Sequence, residues 1–263
     1  MNIHINDIRT ITLDEMSHIR LMDRVDTKFT ANVELLPLLL EKMQPLFRVQ
    51  VIDNKRIANY STQYFDTVDL SFFTMHQNGK LNRQKIRIRS YVDSKLSFLE
   101  VKNKNNKGRT SKKRVTIDTP FVNSISDITE QQFLEKNAIF ETCELKPVLK
   151  NSFKRITFVN NKATERITID LDLIFFNYVT KKKVAMNNLM ILELKQDGQQ
   201  RSDFREILNN MHIKPASFSK YCIGIYSTDE NAKYNRFKEK YRAVEKQLNG
   251  AKNKEQRQLK DVF

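Results

Sequence analysis

Cysteine is nearly absent from this 263-residue chain: Cys143 and Cys222 stand far apart and without CxxC spacing, so neither a disulfide framework nor a cysteine-built zinc site is indicated. Glycine and proline are sparse as well, five of each, which leaves little room for flexible linkers and favours one continuous domain. No apolar run reaches about 18 residues, and the N-terminal MNIHINDIRTITLDEM carries acids where a leader would carry an apolar block. The sequence therefore predicts neither a membrane span nor a signal peptide, and a cytoplasmic location. Internal repeats and low-complexity stretches are missing. There is no GxxxxGK[ST] loop, which excludes a P-loop as a phosphate cradle. The four histidines, His4, His18, His76 and His212, are scattered at no triad or metal spacing and carry no assigned chemistry.

What is abundant is positive charge. Lysine and arginine number 46 against 31 acids, a formal net charge of +15 with an isoelectric point near 9.7. Such a balance predicts a polyanionic partner: nucleic acid, an anionic membrane surface or a soluble phosphate compound. Charge alone does not choose among them. A 40% hydrophobic content suffices for a real core at this length.

Periodicity and punctuation give a coarse map. RVDTKFT is extended, and a leucine-rich helix runs from about 32 to 43. Strands are expected near 45–53 and 56–65, then a short helix with Asp66 as N-cap that ends at Asn78-Gly79. Further strands fall near 82–92, 95–104 and 111–118, turning at Asp93-Ser94 and around Gly108, before a helix near 126–138. A second run covers 152–160, 163–176 and 184–196, with turns at Asn160-Asn161 and at Lys181 to Lys183. A helix near 201–210 and a strand near 217–226 complete the core domain, residues 1–228. In the basic segment 229–263, Tyr234, Phe237, Tyr241, Val244 and Leu248 recur at helical spacing, which predicts an amphipathic helix fraying after Gly250. Its apolar stripe suits docking on the domain, with contact to a partner or a membrane as the alternative.

Residues 83–91, RQKIRIRSY, put Arg83, Lys85, Arg87 and Arg89 on one side of an extended chain, with Ile86 and Ile88 on the other. The same alternation recurs. In FLEVKNK, Glu100, Lys102 and Lys104 oppose Leu99 and Val101; in SKKRVTID, Lys112, Arg114, Thr116 and Asp118 oppose Lys113, Val115 and Ile117. In ERITIDLDLI, Arg166, Thr168, Asp170 and Asp172 oppose a row of isoleucine and leucine; in ILELK, Glu193 and Lys195 oppose Leu192 and Leu194. One such strand is what any antiparallel sheet with a wet face looks like. Five of them concentrate arginine and lysine with a few isolated carboxylates, and like charges across strand pairs need a compensating anion or a functional reason to exist. Curled into a barrel under helices, these strands would line a passage in which close-set cations bind a polyphosphate strongly. The carboxylates would then serve as ligands for a hard divalent ion.

The ordered set RVDTKF, YFDT, KIRIRSY, FLEVK, SKKRV, FKRITF, RITID, ILELK and SFSKYCIGIY, from about Arg24 to Tyr226, resembles the polyphosphate polymerase domain of vacuolar transporter chaperone (VTC) proteins, a branch of the triphosphate tunnel metalloenzymes. The resemblance implies an α+β fold: a closed antiparallel eight-stranded β-barrel with helices packed outside. It implies that Lys28, Arg87, Arg89, Lys102, Lys112, Arg155, Arg166, Ser219 and Lys220 reach phosphates, and that Arg87, Arg89, Lys102, Arg155 and Arg166 act in catalysis. Glu193 falls on the metal-binding glutamate, with Mn²⁺ or Mg²⁺ as the ion. Ser217 departs from the pattern, since fungal members carry lysine there. Lys112 is preferred to Lys113 because it faces away from Val115 and Ile117. Asp170 and Glu100 are either further metal ligands or partners of neighbouring cations.

The activity implied is transfer of the terminal phosphoryl group of ATP to a growing inorganic polyphosphate chain. Two rivals stand beside it. One is a metal-dependent triphosphatase, in which water replaces the chain end. The other is a non-catalytic module binding polyphosphate or nucleic acid. Tyr91 is the only clear aromatic on the cationic faces above, and this speaks against a reader of single strands, hence no specific nucleic-acid partner. The basic tail leaves room for a membrane-protein partner.

Overall fold

The computed structural model describes residues 5–17, 19, 24–198, 201–232, 235 and 238–248. The chain opens with strand β1 (Thr10–Thr12) and helix α1 (Leu13–Ser17), then β2 (Arg24–Asn32), a 3-10 turn at Val33–Leu35 and α2 (Leu36–Met43). Strands β3 (Phe47–Val51) and β4 (Ala58–Asp66) lead into α3 (Ser71–Gln77). A meander of β5 (Arg83–Tyr91), β6 (Leu96–Lys104) and β7 (Thr110–Ile117) precedes α4 (Ile128–Glu135) and a second 3-10 turn at Thr142–Glu144. Then come β8 (Lys146–Asn160), β9 (Glu165–Asn177), β10 (Lys183–Met186) and β11 (Leu189–Asp197), followed by α5 (Asp203–Asn210), α6 (Lys220–Thr228) and α7 (Lys238–Leu248).

The fold is α+β, built on one large sheet. Its main path runs β2-β11-β9-β8-β4-β5-β6-β7; β3 joins β8, β10 joins β9, and β1 adds to β3 in parallel. The closed barrel expected from the sequence is not formed by hydrogen bonds, because among the described residues no pairing joins β7 to β2. The reason lies at the two edges. Lys112, Lys113 and Arg114 stand exposed along β7, and Arg24, Val25 and Asp26 are exposed at the start of β2, so both edges face water and the β7 edge is guarded by cations.

The sheet nevertheless curls. Lys102 of β6 feels the charges of Lys28 and Asp26 on β2, six steps away along the path. A flat sheet would hold those strands about 28 Å apart. Apolar side chains take the convex side. Ile86, Ile88, Leu99 and Val101 pack with Phe72 and Phe73 of α3 and Leu134 of α4. Phe29, Ile156, Phe158, Ile167, Ile169, Leu192 and Leu194 pack with Leu36, Leu39, Leu40 and Met43 of α2 and with Phe204 and Leu208 of α5. Covering the apolar face with helices leaves the charged face turned inward.

Three elements differ from the sequence map. The strand expected near 217–226 is helix α6: Ser219 caps it by accepting the Cys222 N–H, and Tyr221, Cys222, Ile223 and Ile225 are all buried. A segment buried on every side shows no strand or helix period. The strand expected at 184–196 is broken into β10 and β11 by a turn at Asn187-Asn188, with Asp172 of β9 adopting a positive φ of 51° opposite the break. Asp66 does not occupy the N-cap position of α3, which falls on Leu70. Its carboxylate instead accepts the N–H groups of Thr67, Phe72 and Phe73.

The tail helix α7 docks on the domain. Val244 is buried, Tyr241 lies against Tyr226 at 4.2 Å between ring centroids, and Asn32 Nδ2 donates to the Gln247 carbonyl. Tyr234, Phe237, everything after Leu248, His4 and His18 lie outside the described residues.

Helix α6 packs against β8 and β9 so closely that Gly224 has no room for a side chain. An added Cβ would meet Leu149 Cδ2 at 2.4 Å and Phe175 Cδ1 at 2.6 Å. Gly224→Ala is expected to cost about 1–3 kcal/mol through overpacking, read as a lower denaturant midpoint at unchanged slope. An unchanged midpoint would mean that α6 is not seated as described.

Candidate functional site

Cross-strand register assembles the inward face. Arg87 pairs with Glu100 and Lys85 with Lys102 between β5 and β6; Glu100 meets Arg114, and Lys102 meets Lys112, between β6 and β7. On the opposite wall Arg155 of β8 faces Asp170 of β9, Arg166 faces Lys195 of β11, and Glu193 faces Lys28 of β2. Along β5 the burial alternates residue by residue, Ile86 and Ile88 fully enclosed and the cations between them partly open. This is the pattern of a strand with one dry and one wet side.

Two carboxylates inside are saturated by cations. Arg87 Nε donates to Glu100 Oε2 at 2.7 Å, and Lys112 takes the other oxygen. Burial works against the Glu100 charge, yet Arg87, Arg89 and Lys112 outweigh it and hold the carboxyl at about 2. Arg155 grips Asp170 through two bonds, 2.6 Å and 2.8 Å, and Lys220 from the start of α6 joins them. Burial again opposes the charge, and Arg155 and Lys220 win, so the Asp170 carboxyl sits well below its ordinary range. These two residues are thus ion-pair partners of the neighbouring cations, the second of the alternatives left by the sequence.

Arg89, Lys28, Lys85 and Lys102 make no ion pair among the described residues, although Arg89 acts on Glu100 and Lys28 on Glu193 from further off. Arg89 is half-buried, and its buried Nε has no hydrogen-bond partner. Burial first, then Arg87 and Arg155 beside it, push its pKa down. Lys28 Nζ donates to the Phe218 carbonyl at 3.1 Å, and Lys85 Nζ to Ser219 Oγ at 3.0 Å. Lys102 remains open to water while surrounded by the walls of the curl, as a side chain lining a wetted channel should be. Burial, then neighbouring positive charge, lowers Lys85 and Lys102 to about 8; burial, opposed by Asp170, does the same to Lys220.

These shifts make a stability prediction with a definite sign. A lysine whose folded pKa is about 8 has released its proton in the folded chain between roughly pH 8 and 10, where the unfolded chain still binds it. The ligand-free protein should therefore become more stable as pH rises from 7.5 to 9.5, read from denaturant midpoints. A falling midpoint over that window would show that these ammonium groups are not crowded.

The remaining expected residues fall as follows. Ser219 caps α6 and accepts from Lys85; Ser217, two residues earlier, is exposed. Lys113 is exposed and in no ion pair among the described residues, whereas Lys112 reaches Glu100. Arg166 stands apart from the others, near the far end of β9, where its Nη2 donates to the carbonyls of Met16 and Ile19 at 3.2 Å and 3.4 Å. Glu193 pairs with Lys195 at 2.7 Å; burial is overcome by Lys195 and then Lys28, which hold its carboxyl at about 2. Among the described residues no three His, Cys, Asp or Glu side chains gather to hold a metal. A single ionised carboxylate fits a Mg²⁺-type ion, which keeps waters and takes further oxygens from a phosphate substrate.

Lys85 and Lys195 fall on the charged face read from parity but are not in the set of phosphate-binding residues that the family resemblance implied. Sequence reasoning missed Tyr60, Phe98 and Phe153. Phe98 shares its face with Glu100 in FLEVK, and Phe153 shares one with Arg155 in FKR.

An inner wall rich in guanidinium and ammonium groups around a few saturated carboxylates has the geometry of an anion receptor. The family model of the VTC domain matches residues 23–229, and the chain belongs to that family. No curated protein matches it. Among solved structures it is similar to a candidate adenylate cyclase from Vibrio parahaemolyticus, at 12% identity and TM-score 0.44, covering 77% of this chain and 97% of the other. It is also similar to a Hippeastrum protein described as a candidate adenylyl cyclase with dominant triphosphatase activity, at 13% identity and TM-score 0.46, covering 78% and 96%. The S. pombe Pct1 RNA triphosphatase is more distant, at 10% identity and TM-score 0.29, with coverage of 75% and 86%.

Proposed function

We propose that the curled sheet works as a tunnel for phosphoryl transfer, taking the terminal phosphoryl group of ATP and adding it to a growing inorganic polyphosphate chain. The observation that carries this reading is Arg89: a half-buried guanidinium with a buried, orphaned Nε, flanked by Arg87 and Arg155. Buried like charges held together are unfavourable until an anion enters. Membership of the VTC family supports the same conclusion. Closure of the tunnel would come from side chains and bound phosphate spanning the β7 to β2 gap.

Phosphoryl transfer asks little covalent work of a protein; it asks for alignment and for positive charge at the equatorial oxygens. Lys28, Arg87, Arg89, Lys102, Arg155 and Lys220 would align the triphosphate, with Lys112 acting through Glu100, and Ser219 as a hydroxyl contact. Arg166 would meet the chain near the far mouth after exchanging its carbonyl partners for phosphate. A terminal oxygen of the acceptor chain forms the new bond to phosphorus as the bond to the β,γ-bridging oxygen breaks, and ADP departs with that electron pair. The attacking oxygen is already anionic, so no general base is needed. Mn²⁺ or Mg²⁺ held by Glu193 would neutralise charge on the phosphate oxygens.

On this reading residues 1–228 carry the chemistry in the cytoplasm, and the basic segment 229–263 is where a membrane-protein partner would attach. Among the described residues no helix is long and apolar enough to cross a membrane. Incubation with ATP and Mn²⁺, with products resolved on a gel, tests the activity: long phosphate chains are expected. Free phosphate without chains would make the protein a triphosphatase. Glu193→Ala should abolish chain formation while leaving the melting temperature within a few degrees, and full activity in that variant would remove Glu193 from the mechanism.

A further inference from the structure

The inward row of β5 runs Lys85, Arg87, Arg89 and then Tyr91, so the charge stops and an aromatic ring begins. Tyr91 is not isolated. Its ring centroid lies 5.0 Å from that of Tyr60 and 5.9 Å from that of Phe98, and Tyr60 stacks on Phe153 at 5.3 Å with 13° between the planes. Register accounts for the cluster: Tyr60 pairs with Tyr91 on one side and Phe153 on the other, and Phe98 pairs with Arg89. Leu96, opposite Tyr91, is 49% exposed.

Phe153 is buried in the core and forms the floor of the cluster, while Tyr60, Tyr91 and Phe98 are each only partly buried, so the cluster is a shelf open on its Tyr91 and Phe98 side. Cations lie over its rings. Arg155 Cζ is 5.0 Å from the Tyr60 centroid, Lys220 Nζ is 4.4 Å from that of Phe153, and exposed Arg114 places its Cζ 4.5 Å from that of Phe98. Arg114 has no ion pair among the described residues. Its hold on Phe98 is thus an exposed cation–π contact worth about 1 kcal/mol or less, weak enough to yield to a ligand.

An aromatic shelf that continues into a line of cations is complementary to one chemical class: a planar base joined to consecutive phosphates. We propose that Tyr91, Phe98 and Arg114 form a nucleobase site at the end of the cation row, so that a nucleoside triphosphate is preferred over inorganic tripolyphosphate. This rests on the phosphate reading of that row. Single-stranded nucleic acid fits less well, because its phosphates are spread one per base along an open groove, whereas these cations follow one another on a single strand inside the curl.

Calorimetric titration with ATP and with inorganic tripolyphosphate tests the site, using the unaltered protein, Arg114→Ala and Phe98→Leu. The unaltered protein should bind ATP more tightly. Phe98→Leu should weaken ATP by about tenfold or more, the range of base stacking on an aromatic, with a smaller loss for Arg114→Ala, and tripolyphosphate affinity unchanged in both. Because Arg114 is exposed, its variant keeps the fold and remains informative if Phe98→Leu does not. Equal losses for both ligands, equal affinities in the unaltered protein, or tighter binding of oligoadenylate than of ATP would each overturn the nucleobase site. Failure of the unaltered protein to bind either ligand would bring down the cation-row reading as well.

Discussion

Arg89→Ala is expected to lower turnover by about two to three orders of magnitude, the usual cost of deleting one preorganised donor to transition-state charge. The same substitution should leave the ligand-free protein as stable as before or more so. Arg89 contributes no ion pair among the described residues, its Nε is unpartnered, and it crowds Arg87 and Arg155. Glu100, the carboxylate that Arg89 acts on from beyond contact, is already held by Arg87 and Lys112, so removing this crowded charge costs the fold little. The two readouts together separate function from packing. Steady-state rates and denaturant midpoints decide it: loss of activity with a lowered midpoint would assign Arg89 a structural role.

Asp170→Asn should act in the opposite way. The carboxylate is 3% exposed and binds Arg155 twice and Lys220 once, so neutralising it leaves two buried cations facing each other. Breaking one partner of a buried pair costs about 3–5 kcal/mol, and the near-equal size of asparagine means that no cavity contributes. Lys220 also anchors the first turn of α6 to β9, so the helix should loosen, with increased hydrogen exchange at Tyr221 to Ile225. Adding Lys220→Met to Asp170→Asn should recover part of the loss, since the two sites are coupled. Additive losses in the double variant would show that Asp170 and Lys220 do not meet.

The inward and outward faces were legible wherever a strand buries only one side. β5 is the clearest case, because isoleucine alternates with a lysine or arginine without exception from Lys85 to Arg89 and a slip of one residue would bury every charge. β4 was not legible in this way: from Ser61 to Asp66 both of its faces are covered, so YSTQYF gave no sign that Tyr60 and Tyr64 share the face of Arg87 and Arg89. Helix α6 was read as a strand for the same reason.

Closure of the sheet was beyond sequence reasoning, because beyond the residues exposed at its two edges it depends on accumulated twist and on irregularities such as the register shift between Ser152 and Lys154. In the site, the set of cations could be read from parity and family resemblance. Which of them are neutralised could not, because that depends on which carboxylate lies opposite. Glu100 and Asp170 take up Arg87 and Arg155 while Arg89, Lys28 and Lys85 are left waiting.

The most direct test of the anion receptor is a crystal structure of the protein soaked with inorganic tripolyphosphate. The account predicts phosphate density inside the curl, within hydrogen-bonding reach of Arg87, Arg89 and Arg155. Density confined to the convex surface, with those guanidinium groups untouched, would contradict it.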